Sequence, residues 1–498
     1  MNPNYRVAPN AAVASRSISP FRLKAAAGSL RRLPAMTAPR QLVTSPSLAV
    51  LLAFFGAHAV LGIAMMKVPA LATLHALFSF LVALYWAASA KGPGKVIAAI
   101  CYLTAAEVLW RITGAAVFWE FGKYAVCAVA LVSWLRRRPP QFNGLALLYF
   151  GLLLPSILLT VLGGFGFTEL RGIISFNLSG PFALAVCAFC LSGLRLGAAE
   201  ADRSLLAILG PVIGVAAICL SGTASLGADY EFGNKSNFDT SGGFGPNQVS
   251  SVLGLGMLVA FLWMQRQQRM SCRWWLAVAL IPCFAAQASL TFSRTGIWIG
   301  VLTIGVASLF IIRRAGKGAI WLIGALLILA SCYLALFRSL DTFTGGKLSE
   351  RYSQKGFTGR EDIAQGDLLL ALHNPLFGVG PGMARFERSN HAGIAAHTEF
   401  TRLLAEHGLG GLLALGALVL MAAKALRRAS SPFQQAWTAS LIAYSVLFMM
   451  VSGMRLVVPA TAIGLAMISL RHTQGAKARR ASLVPARSSF QRNGRRFP

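Results

Sequence analysis

One stretch decides the class of fold: GIWIGVLTIGVASLFII, residues 296–312. It contains 17 residues without a charge, and arginines flank it on both sides, Arg294 before it and Arg313-Arg314 after it. A helix needs about 20 mostly apolar residues, within a range of roughly 17–25, to cross the hydrocarbon core of a bilayer. The stretch therefore predicts a transmembrane helix whose charged ends lie at the two membrane surfaces.

Similar apolar runs recur along the whole chain. Including the first, there are fourteen: 48–66, 69–90, 95–112, 121–135, 144–162, 174–192, 204–221, 248–264, 274–291, 296–312, 318–337, 408–423, 436–452 and 457–470. They lack the alternation of a barrel strand, and backbone groups in lipid must be satisfied within the segment, so helices are expected. The predicted fold is all-α, a polytopic transmembrane bundle of about fourteen spans, with twelve as the alternative, and a partly helical extracytoplasmic loop domain.

Composition supports a membrane protein and excludes other classes. Of 498 residues, 56% are hydrophobic and only 12% are charged, and the mean hydropathy is +0.62. Soluble domains carry about 25% charged residues, so this chain could not cover a soluble particle of its size. A soluble enzyme and a secreted disulfide scaffold are therefore excluded. The net charge of +30 would suit a nucleic-acid binder, but the apolar bulk would not.

The distribution of charge predicts which side of the membrane each loop occupies. If the N-terminus is cytoplasmic and the sides alternate, the loops and the two terminal tails on that side hold 31 of the 46 Lys and Arg. The same segments hold only two acids, Glu200 and Asp202. Because short cytoplasmic loops are enriched in Lys and Arg, this asymmetry predicts that both termini are cytoplasmic.

The predicted organisation of this multi-pass chain follows from the runs and the charges. It comprises a basic, disordered cytoplasmic tail (1–47), eleven spans (48–337), a large periplasmic loop with the catalytic motifs (338–407), three spans (408–470) and a second basic tail (471–498). Both tails are expected to touch anionic headgroups.

Cysteines and charges inside the spans favour structural roles. Cys187 and Cys190 form a Cys-x-x-Cys in an apolar helix without a partner pair, which predicts packing residues and no metal site or disulfide. Glu107 and Arg111 are spaced i,i+4, and Glu120 and Lys123 are spaced i,i+3. These spacings predict buried ion pairs that brace helices, and a proton or substrate path is the alternative.

Arginines at the outer ends of two spans are candidates for anion binding. Arg171 precedes the span at 174–192, and an arginine at such a position tends to face a cavity or a partner; a pair with Glu169 or simple snorkelling is the alternative. Arg294 lies in a junction rich in Ser and Thr, 289–296. A guanidinium among hydroxyl groups suits a phosphate or diphosphate because it is planar, permanently charged and bidentate.

The loop at 338–407 is the richest outer segment. Gly359-Arg360 opens a predicted helix that runs to about His373. The glycine-dense segment 374–382 then predicts a sharp turn, and a phosphate-binding loop is the weaker interpretation.

The end of this loop holds a histidine that is close in sequence to two glutamates and an arginine. On a helix, His397, Arg402 and Glu406 would lie close together, as would Glu399 and Arg402. A histidine at the point where a helix enters the membrane can serve as a general base, although a structural role is equally compatible with the spacing.

In this order, these motifs resemble the O-antigen ligase and O-antigen polymerase superfamily of bacterial envelope glycan enzymes. The resemblance covers about residues 285–425 and rests on Ser293-Arg294, Gly359-Arg360, the turn at 374–382, and His397 followed by Glu406. Two sites depart from the family pattern: Thr398 stands where an asparagine usually follows the histidine, and Ile363-Ala364 replaces an aromatic residue that commonly follows the Gly-Arg.

The resemblance implies a reaction and roles for particular residues. The family is similar to lipid-linked sugar transferases of the GT-C type and transfers a glycan from undecaprenyl diphosphate to an acceptor hydroxyl at the outer face of the inner membrane, without metal, nucleotide or other cofactor. The implied partners are this donor, a glycolipid or glycan acceptor, and membrane lipid. The implied diphosphate-binding residues are Arg171, Arg294, Arg360 and Arg402; the implied catalytic residues are His397, Glu399 and Arg360, with Glu406 as an alternative helper.

Other functions remain open from the sequence. A ligase transfers the glycan to a lipid A core or another carrier, whereas a polymerase transfers it to another lipid-linked glycan. A secondary transporter or lipid flippase is a separate class, and such proteins often carry paired repeats and broken spans. A structural scaffold for an envelope assembly is a third class.

Overall fold

The structure is a computed structural model in which residues 46–89, 92–137, 142–227, 229–313, 318–354, 360–388 and 393–471 are described. The two predicted tails lie almost entirely outside these ranges, and so does Gly359 of the Gly-Arg motif.

The described residues form eighteen α-helices, one short 3-10 helix (Asp239–Ser241) and two very short strands. The helices are α1 (Leu48–Lys67), α2 (Pro69–Ala88), α3 (Pro93–Ile112), α4 (Phe121–Leu135), α5 (Gly144–Gly151), α6 (Ile157–Leu162), α7 (Phe167–Leu191), α8 (Ala198–Ala224), α9 (Pro246–Met264), α10 (Cys272–Leu290), α11 (Arg294–Ile312), α12 (Gly318–Phe343), α13 (Lys347–Ser353), α14 (Arg360–His373), α15 (Ala384–Glu387), α16 (Glu399–Arg428), α17 (Pro432–Ser452) and α18 (Val458–Ala466). The strands are β1 (Arg195–Leu196) and β2 (Ser469–Leu470), which pair in parallel.

The predicted all-α polytopic fold is confirmed. Within the described ranges, ten helices are long and apolar enough to cross a membrane: α1, α2, α7, α8, α9, α10, α11, α12, α16 and α17. Helix α3 has the length of a span, but it carries Lys95, Glu107 and Arg111, and α4 has only 15 residues. The chain is therefore a multi-pass membrane protein whose longest apolar runs are those that the sequence marked.

Two of the fourteen predicted spans are wrong as continuous helices. The run at 144–162 is divided between α5 and α6, and Pro155 lies in the break. Proline lacks the N–H that a helix interior requires and disfavours helical backbone at the residue before it. The run at 457–470 forms only the nine residues of α18 before the chain turns to pair β2 with β1.

Helices α9 and α11 approach so closely that only glycine fits at their crossing. A Cβ added to Gly296 would lie 1.8 Å from the carbonyl oxygen of Ser250, and one added to Gly254 would lie 2.4 Å from the carbonyl oxygen of Gly296. The hydroxyl of Ser250 also accepts a hydrogen bond from the Gly296 N–H at 3.0 Å. This crossing fixes the beginning of α11, and Arg294 with it, against the beginning of α9.

The large outer loop is partly helical, as predicted. Helix α12 continues to Phe343, so the first residues of the predicted loop extend the span. Helix α14 begins at Arg360 and ends at His373, as the sequence predicted. In α16 the backbone of Gly408 is not helical (φ 54°, ψ −128°), and this kink separates residues 399–407 from the remainder of the helix.

Candidate active site

The beginning of α11 is held in an unusual backbone conformation. Phe292 is buried and has a φ of 54°, which is rare for a residue with a side chain. Its ring stacks on Phe232 from the preceding outer segment, with ring centroids 5.8 Å apart. The hydroxyl of Ser293 donates to the side-chain oxygen of Asn247 at 2.7 Å. These contacts fix Arg294, the first residue of α11, at the amino-terminal end of the helix.

Two arginines from the outer loop lie beside Arg294. The guanidinium of Arg294 donates to the carbonyl of Gln354 at 2.6 Å. Arg351, on α13, donates to the carbonyl of Phe292 at 3.0 Å and to the side chain of Gln354 at 2.9 Å. Arg360 begins α14, so α11, α13 and α14 each contribute one guanidinium to this region.

The charges around Arg360 identify a cluster of cations. The pKa of Arg360 is lowered, first by burial and then by the positive charges of three other arginines, Arg455, Arg351 and Arg294. Arg455 lies in the short connection between α17 and α18. Within the described part of the chain, the charged groups that act on the pKa of Arg360 are all positive. Such a cluster is an anion-binding environment.

A cavity of about 470 Å³ opens beside this cluster. Its polar end is lined by Asn247, Ser293, Arg294, Thr295, Arg351 and Arg360. Its remaining wall is apolar and comes from α11 and α17: Trp298, Ile299, Leu302, Leu447, Met450 and Val451. Trp298 is 57% exposed and Met450 52% exposed, so the cavity reaches the outer surface of the helix bundle. The arrangement suits a ligand with an anionic head and an apolar tail.

His397 lies at the edge of the same cluster, just before α16. Its pKa is lowered to about 4, first by burial and then by the positive charges of Arg455, Arg360 and Arg388. Arg455 also donates to the carbonyl of Ala396, the residue before the histidine, at 3.5 Å. The imidazole is therefore neutral near pH 7 and able to accept a proton.

Glu399, Arg402 and Glu406 form a buried ion-pair triad on the first two turns of α16. Arg402 binds Glu399 through both Nε and Nη2, and its Nη1 donates to Glu406 at 2.6 Å. The guanidinium also donates to the backbone carbonyl of Asn177 on α7 at 3.2 Å. Arg402 thus pairs with Glu399 and with Glu406, as the spacing predicted, whereas the predicted approach of His397 to Arg402 and Glu406 is not among these contacts. Both carboxylates are committed to Arg402, and neither is described in contact with His397.

The triad also supports the connection that carries Arg455. The carboxylate of Glu399 accepts from the N–H of Met454 at 3.2 Å. On the other side of this connection, Glu107 accepts from the N–H of Val457 at 2.7 Å, and Arg111 donates to the carbonyl of Arg455 at 3.3 Å. Side chains of two helices, α3 and α16, thus fix the backbone around Arg455.

The glycine-dense turn packs against the kink of α16, which agrees with the prediction of a sharp turn. Gly378 has a φ of 67°, and a Cβ there would lie 2.4 Å from the carbonyl carbon of Glu406. Gly408 approaches the same turn, since its added Cβ would lie 2.7 Å from the N of Gly378. The N–H of Gly380 donates to the carbonyl of Glu406 at 3.0 Å. The glycines are needed for close backbone approach, and they hold residues 399–407 in place.

The structure brings together some of the predicted site residues and separates others. Arg294, Arg360 and His397 belong to one cluster. Arg402, Glu399 and Glu406 belong to the neighbouring triad. Arg171 is exposed near the beginning of α7, and it is not among the residues that line either the cavity or the triad.

Sequence reasoning missed three residues of the site: Asn247, Arg351 and Arg455. Arg455 carries part of the same signal as Arg294, since it is an arginine in a very short junction at the end of a span. Arg351 and Asn247 carry no comparable signal, since their position depends on how the outer segments fold against one another.

The predicted ion pairs within the helices are confirmed. Arg111 and Glu107 lie 2.7 Å apart, and Lys123 and Glu120 lie 2.5 Å apart. Cys187 and Cys190 are buried and free within α7. Within the described ranges, no three side chains of His, Cys, Asp or Glu come together as a set of metal ligands.

Comparison with known proteins agrees with the resemblance seen in the sequence. Residues 288–416 match the model of a protein family described as O-antigen ligase. This segment contains Arg294, Arg351, Arg360 and His397, whereas Arg455 lies beyond it. No curated protein matches the chain. The match confirms the resemblance of this segment to the O-antigen ligase and polymerase superfamily and supports a membrane enzyme of the ligase or polymerase type.

Proposed function

We propose that this chain is an integral inner-membrane glycosyltransferase that transfers a glycan from undecaprenyl diphosphate to an acceptor hydroxyl on the periplasmic side. In this proposal it is an O-antigen ligase, related in mechanism to GT-C transferases and independent of metal. The observation that carries the proposal is the cavity with two kinds of wall, arginines at one end and apolar side chains of α11 and α17 along the rest.

The chemistry of the donor matches these two walls. A diphosphate carries negative charge on several oxygens, and guanidinium groups bind such oxygens with paired, charge-assisted hydrogen bonds. Arg294, Arg351 and Arg360 lie at the polar end of the cavity. A polyprenyl chain is apolar and would lie against Trp298 and its neighbours, where the cavity opens to the membrane.

The same arginines would stabilise the leaving group. In the reaction the bond between the sugar anomeric carbon and a diphosphate oxygen breaks, and the acceptor oxygen forms a new bond to that carbon. Negative charge then accumulates on the departing undecaprenyl diphosphate. Cations already fixed in a water-poor site stabilise this charge without reorganisation, and that supports transfer without a metal ion.

His397 is proposed to take the proton of the acceptor hydroxyl. Burial and, after it, the neighbouring arginines keep the pKa of His397 low, so the imidazole is neutral before the donor binds. A bound diphosphate would offset their charge and raise the pKa of His397, because a nearby negative charge favours the protonated form. The base would thus become stronger when the donor is in place, and this coupling favours proton transfer in the complete complex.

In this proposal the triad of Glu399, Arg402 and Glu406 has a structural role. Arg402 and Glu399, assigned by resemblance to diphosphate binding and catalysis, are proposed to fix the α16 segment after His397, because their charges neutralise each other. Arg171 stays a predicted diphosphate ligand. The histidine is also the feature that favours a ligase over a polymerase.

A transfer assay tests the proposal. Membranes or proteoliposomes containing the chain would receive a glycan on undecaprenyl diphosphate, together with either a lipid A core or a second lipid-linked glycan as acceptor. Transfer to the core supports the ligase, whereas elongation of the lipid-linked glycan supports the polymerase. Uptake of a solute without glycan transfer would support the transporter class and contradict the proposal.

Variants connect the assay to the site. Arg294→Ala and His397→Ala are expected to lower transfer by about 100-fold or more, the loss typical of a positioned charge or base. Arg338→Ala is the matched control, because Arg338 is exposed on α12 outside the cavity. Retained transfer in both site variants would remove these residues from the mechanism. A chelator should leave transfer by the wild-type chain unchanged.

A further inference from the structure

A second large cavity lies between α1, α2, α3 and α8, away from the cation cluster. Its volume is about 580 Å³. We call it the lateral groove, and its walls are mainly apolar side chains: Val50, Leu51, Phe54, Leu61, Phe78, Val82, Trp86 and Leu206. Only 28% of the apolar window of α1 is buried, and Val50 and Ala57 on the groove wall are exposed, so the groove opens laterally at the surface of the bundle.

The groove is about as deep as one leaflet of a bilayer. Along α1 it runs from Val50 to Leu61, eleven helical steps, or about 16 Å. The hydrocarbon core of a bilayer is about 30 Å thick, so this length is close to half of it. Its upper end lies where α1 begins, α2 ends, and α3 and α8 begin. The lower end lies near the middle of α1.

The lower end of the groove is closed by a satisfied hydrogen-bond chain. The indole N–H of Trp110 donates to Nδ1 of His75, at 2.9 Å. His75 therefore carries its proton on Nε2 and donates it to the hydroxyl oxygen of Tyr102, also at 2.9 Å. Tyr102 in turn donates to Nε2 of His58 at 3.2 Å, and Nδ1 of His58 donates to the carbonyl of Phe54 at 2.8 Å. Because these polar groups are hydrogen-bonded to one another, a ligand needs no polar group at this end of the groove.

The upper end of the groove carries a positive charge. Arg203 lines it and is exposed near the beginning of α8. The amino-terminal turn of α1 lies beside the same opening, through Pro46 and Val50. By the predicted topology this end faces the cytoplasm. Basic pockets between membrane helices on that side bind anionic lipid headgroups.

We propose that the lateral groove is a binding site for an anionic phospholipid of the leaflet that contains Arg203. The acyl chain would lie along the apolar walls and end at the His58–Tyr102–His75 floor, and the phosphate-bearing headgroup would lie beside Arg203. The match of groove depth to one leaflet, with a cation only at the surface end, favours a lipid over a helix of a partner protein. This site is independent of the proposed glycan transfer.

Fluorescence quenching by brominated lipids tests the proposal, because Trp86 lines the groove near its upper end. The full chain would be placed in phosphatidylcholine nanodiscs that contain a small fraction of either brominated phosphatidylglycerol or brominated phosphatidylcholine. The signal of Trp86 is the part of the quenching that disappears in Trp86→Phe. This Trp86 quenching should show a preference of about fivefold for the anionic lipid. One cation near an anionic headgroup strengthens binding by roughly this factor.

Two pairs of variants separate headgroup binding from chain binding. Arg203→Gln should abolish the preference, whereas Arg195→Gln, an exposed cation just before α8, should keep it. Ala57→Leu fills the groove and should protect Trp86, whereas Ala53→Leu, one turn earlier on α1 and outside the groove, should not. Equal quenching by the two lipids in the wild-type chain, or an unchanged preference in Arg203→Gln, would overturn the proposal. Protection of Trp86 from both lipids in the wild-type chain would overturn it too, and would indicate that another helix fills the groove.

Discussion

Thr398, the residue after the proposed base, begins α16 as its N-cap. Its hydroxyl accepts from the N–H of Phe400 at 3.4 Å. The family resembled by this sequence usually has an asparagine here, and asparagine and threonine side chains both serve as N-caps. The departure therefore preserves the local structure that sets His397 immediately before the helix.

The first prediction concerns the pH dependence of transfer. Because His397 must be neutral to accept a proton and its pKa is about 4 in the free enzyme, kcat/KM should fall only as the pH drops through about 4. In the donor complex the diphosphate offsets the arginines and raises this pKa, so kcat should fall at a higher pH than kcat/KM does. Steady-state rates over a range of pH provide the measurement.

A variant distinguishes His397 from other titrating groups in these profiles. His397→Gln keeps a polar side chain but cannot act as a base, so its remaining activity should lose the acid limb of both profiles. An acid limb that persists unchanged in His397→Gln would assign the titration to another group and contradict the proposed role.

The second prediction separates a framework role from diphosphate binding at Arg402. Arg402→Ala leaves two buried carboxylates, Glu399 and Glu406, without their cation, and breaking a buried ion pair in this way costs about 3–5 kcal/mol. Thermal unfolding in detergent should show a large loss of stability. Adding Glu399→Gln and Glu406→Gln should recover part of it. A variant that keeps its stability but binds the donor weakly would instead support the diphosphate role that the sequence suggested.

The sequence predicted the site residues whose position is set by the helix that they begin. Arg294 and Arg360 each begin a helix, and both lie in the cluster. Arg351 could not be predicted, because its place depends on the docking of α13 against Phe292. The sequence predicted that Arg402 lies near Glu399 and Glu406. Its spacing from these acids, i,i+3 and i,i+4, does not reveal whether the guanidinium binds them or a ligand.

At the scale of elements, two interrupted helices meet beneath the site. The break between α5 and α6 contains Ser156, whose hydroxyl lies 2.5 Å from Nδ1 of His407, next to the kink at Gly408. A Cβ added to Gly410 would lie 2.4 Å from the carbonyl oxygen of Leu152 in the same break. The predicted span at 408–423 begins at the kink, whereas hydropathy marked 144–162 as one apolar run and missed the break at Pro155.

The third prediction concerns the crossing of α9 and α11. Gly296→Ala would place a methyl group on the Ser250 carbonyl, so the helices must separate. Overpacking of this kind costs about 1–3 kcal/mol and would move Arg294 away from Arg351. Both the unfolding temperature and transfer should fall. Gly305→Ala on the same helix is the matched control, since no heavy atom lies within 4 Å of its added Cβ; an equal effect of both substitutions would contradict the packing argument.

At the scale of the whole molecule, the cation cluster comes from segments far apart in the chain. Arg294, Arg360 and His397 lie within the matched residues 288–416, but Arg455 and Asn247 lie outside them. The site therefore includes residues outside the segment that matches the family model. The sequence predicted the all-α bundle and most helix bounds, because apolar length is a local property. The number of spans was less well predicted, since α5, α6 and α18 depend on what packs beside them.

The fourth prediction concerns sidedness. The excess of Lys and Arg in alternate loops predicts that Gln268 is cytoplasmic and Lys235 periplasmic, and both are exposed. In a cysteine-free background that retains transfer, Lys235→Cys should react with a membrane-impermeant maleimide on spheroplasts, and Gln268→Cys should react only after lysis. The reverse pattern would invert the topology and place the lateral groove in the other leaflet.

The cation cluster also implies a trade-off between stability and activity. The pKa of Arg360 is lowered first by burial and then by three neighbouring arginines, and like charges held close together repel, so the cluster is a source of electrostatic strain. Arg360→Gln should therefore raise the unfolding temperature while it lowers transfer, and the exposed control Arg338→Gln should change neither. A fall in the unfolding temperature of Arg360→Gln would contradict this. Selection for activity has then kept a site that selection for stability alone would remove.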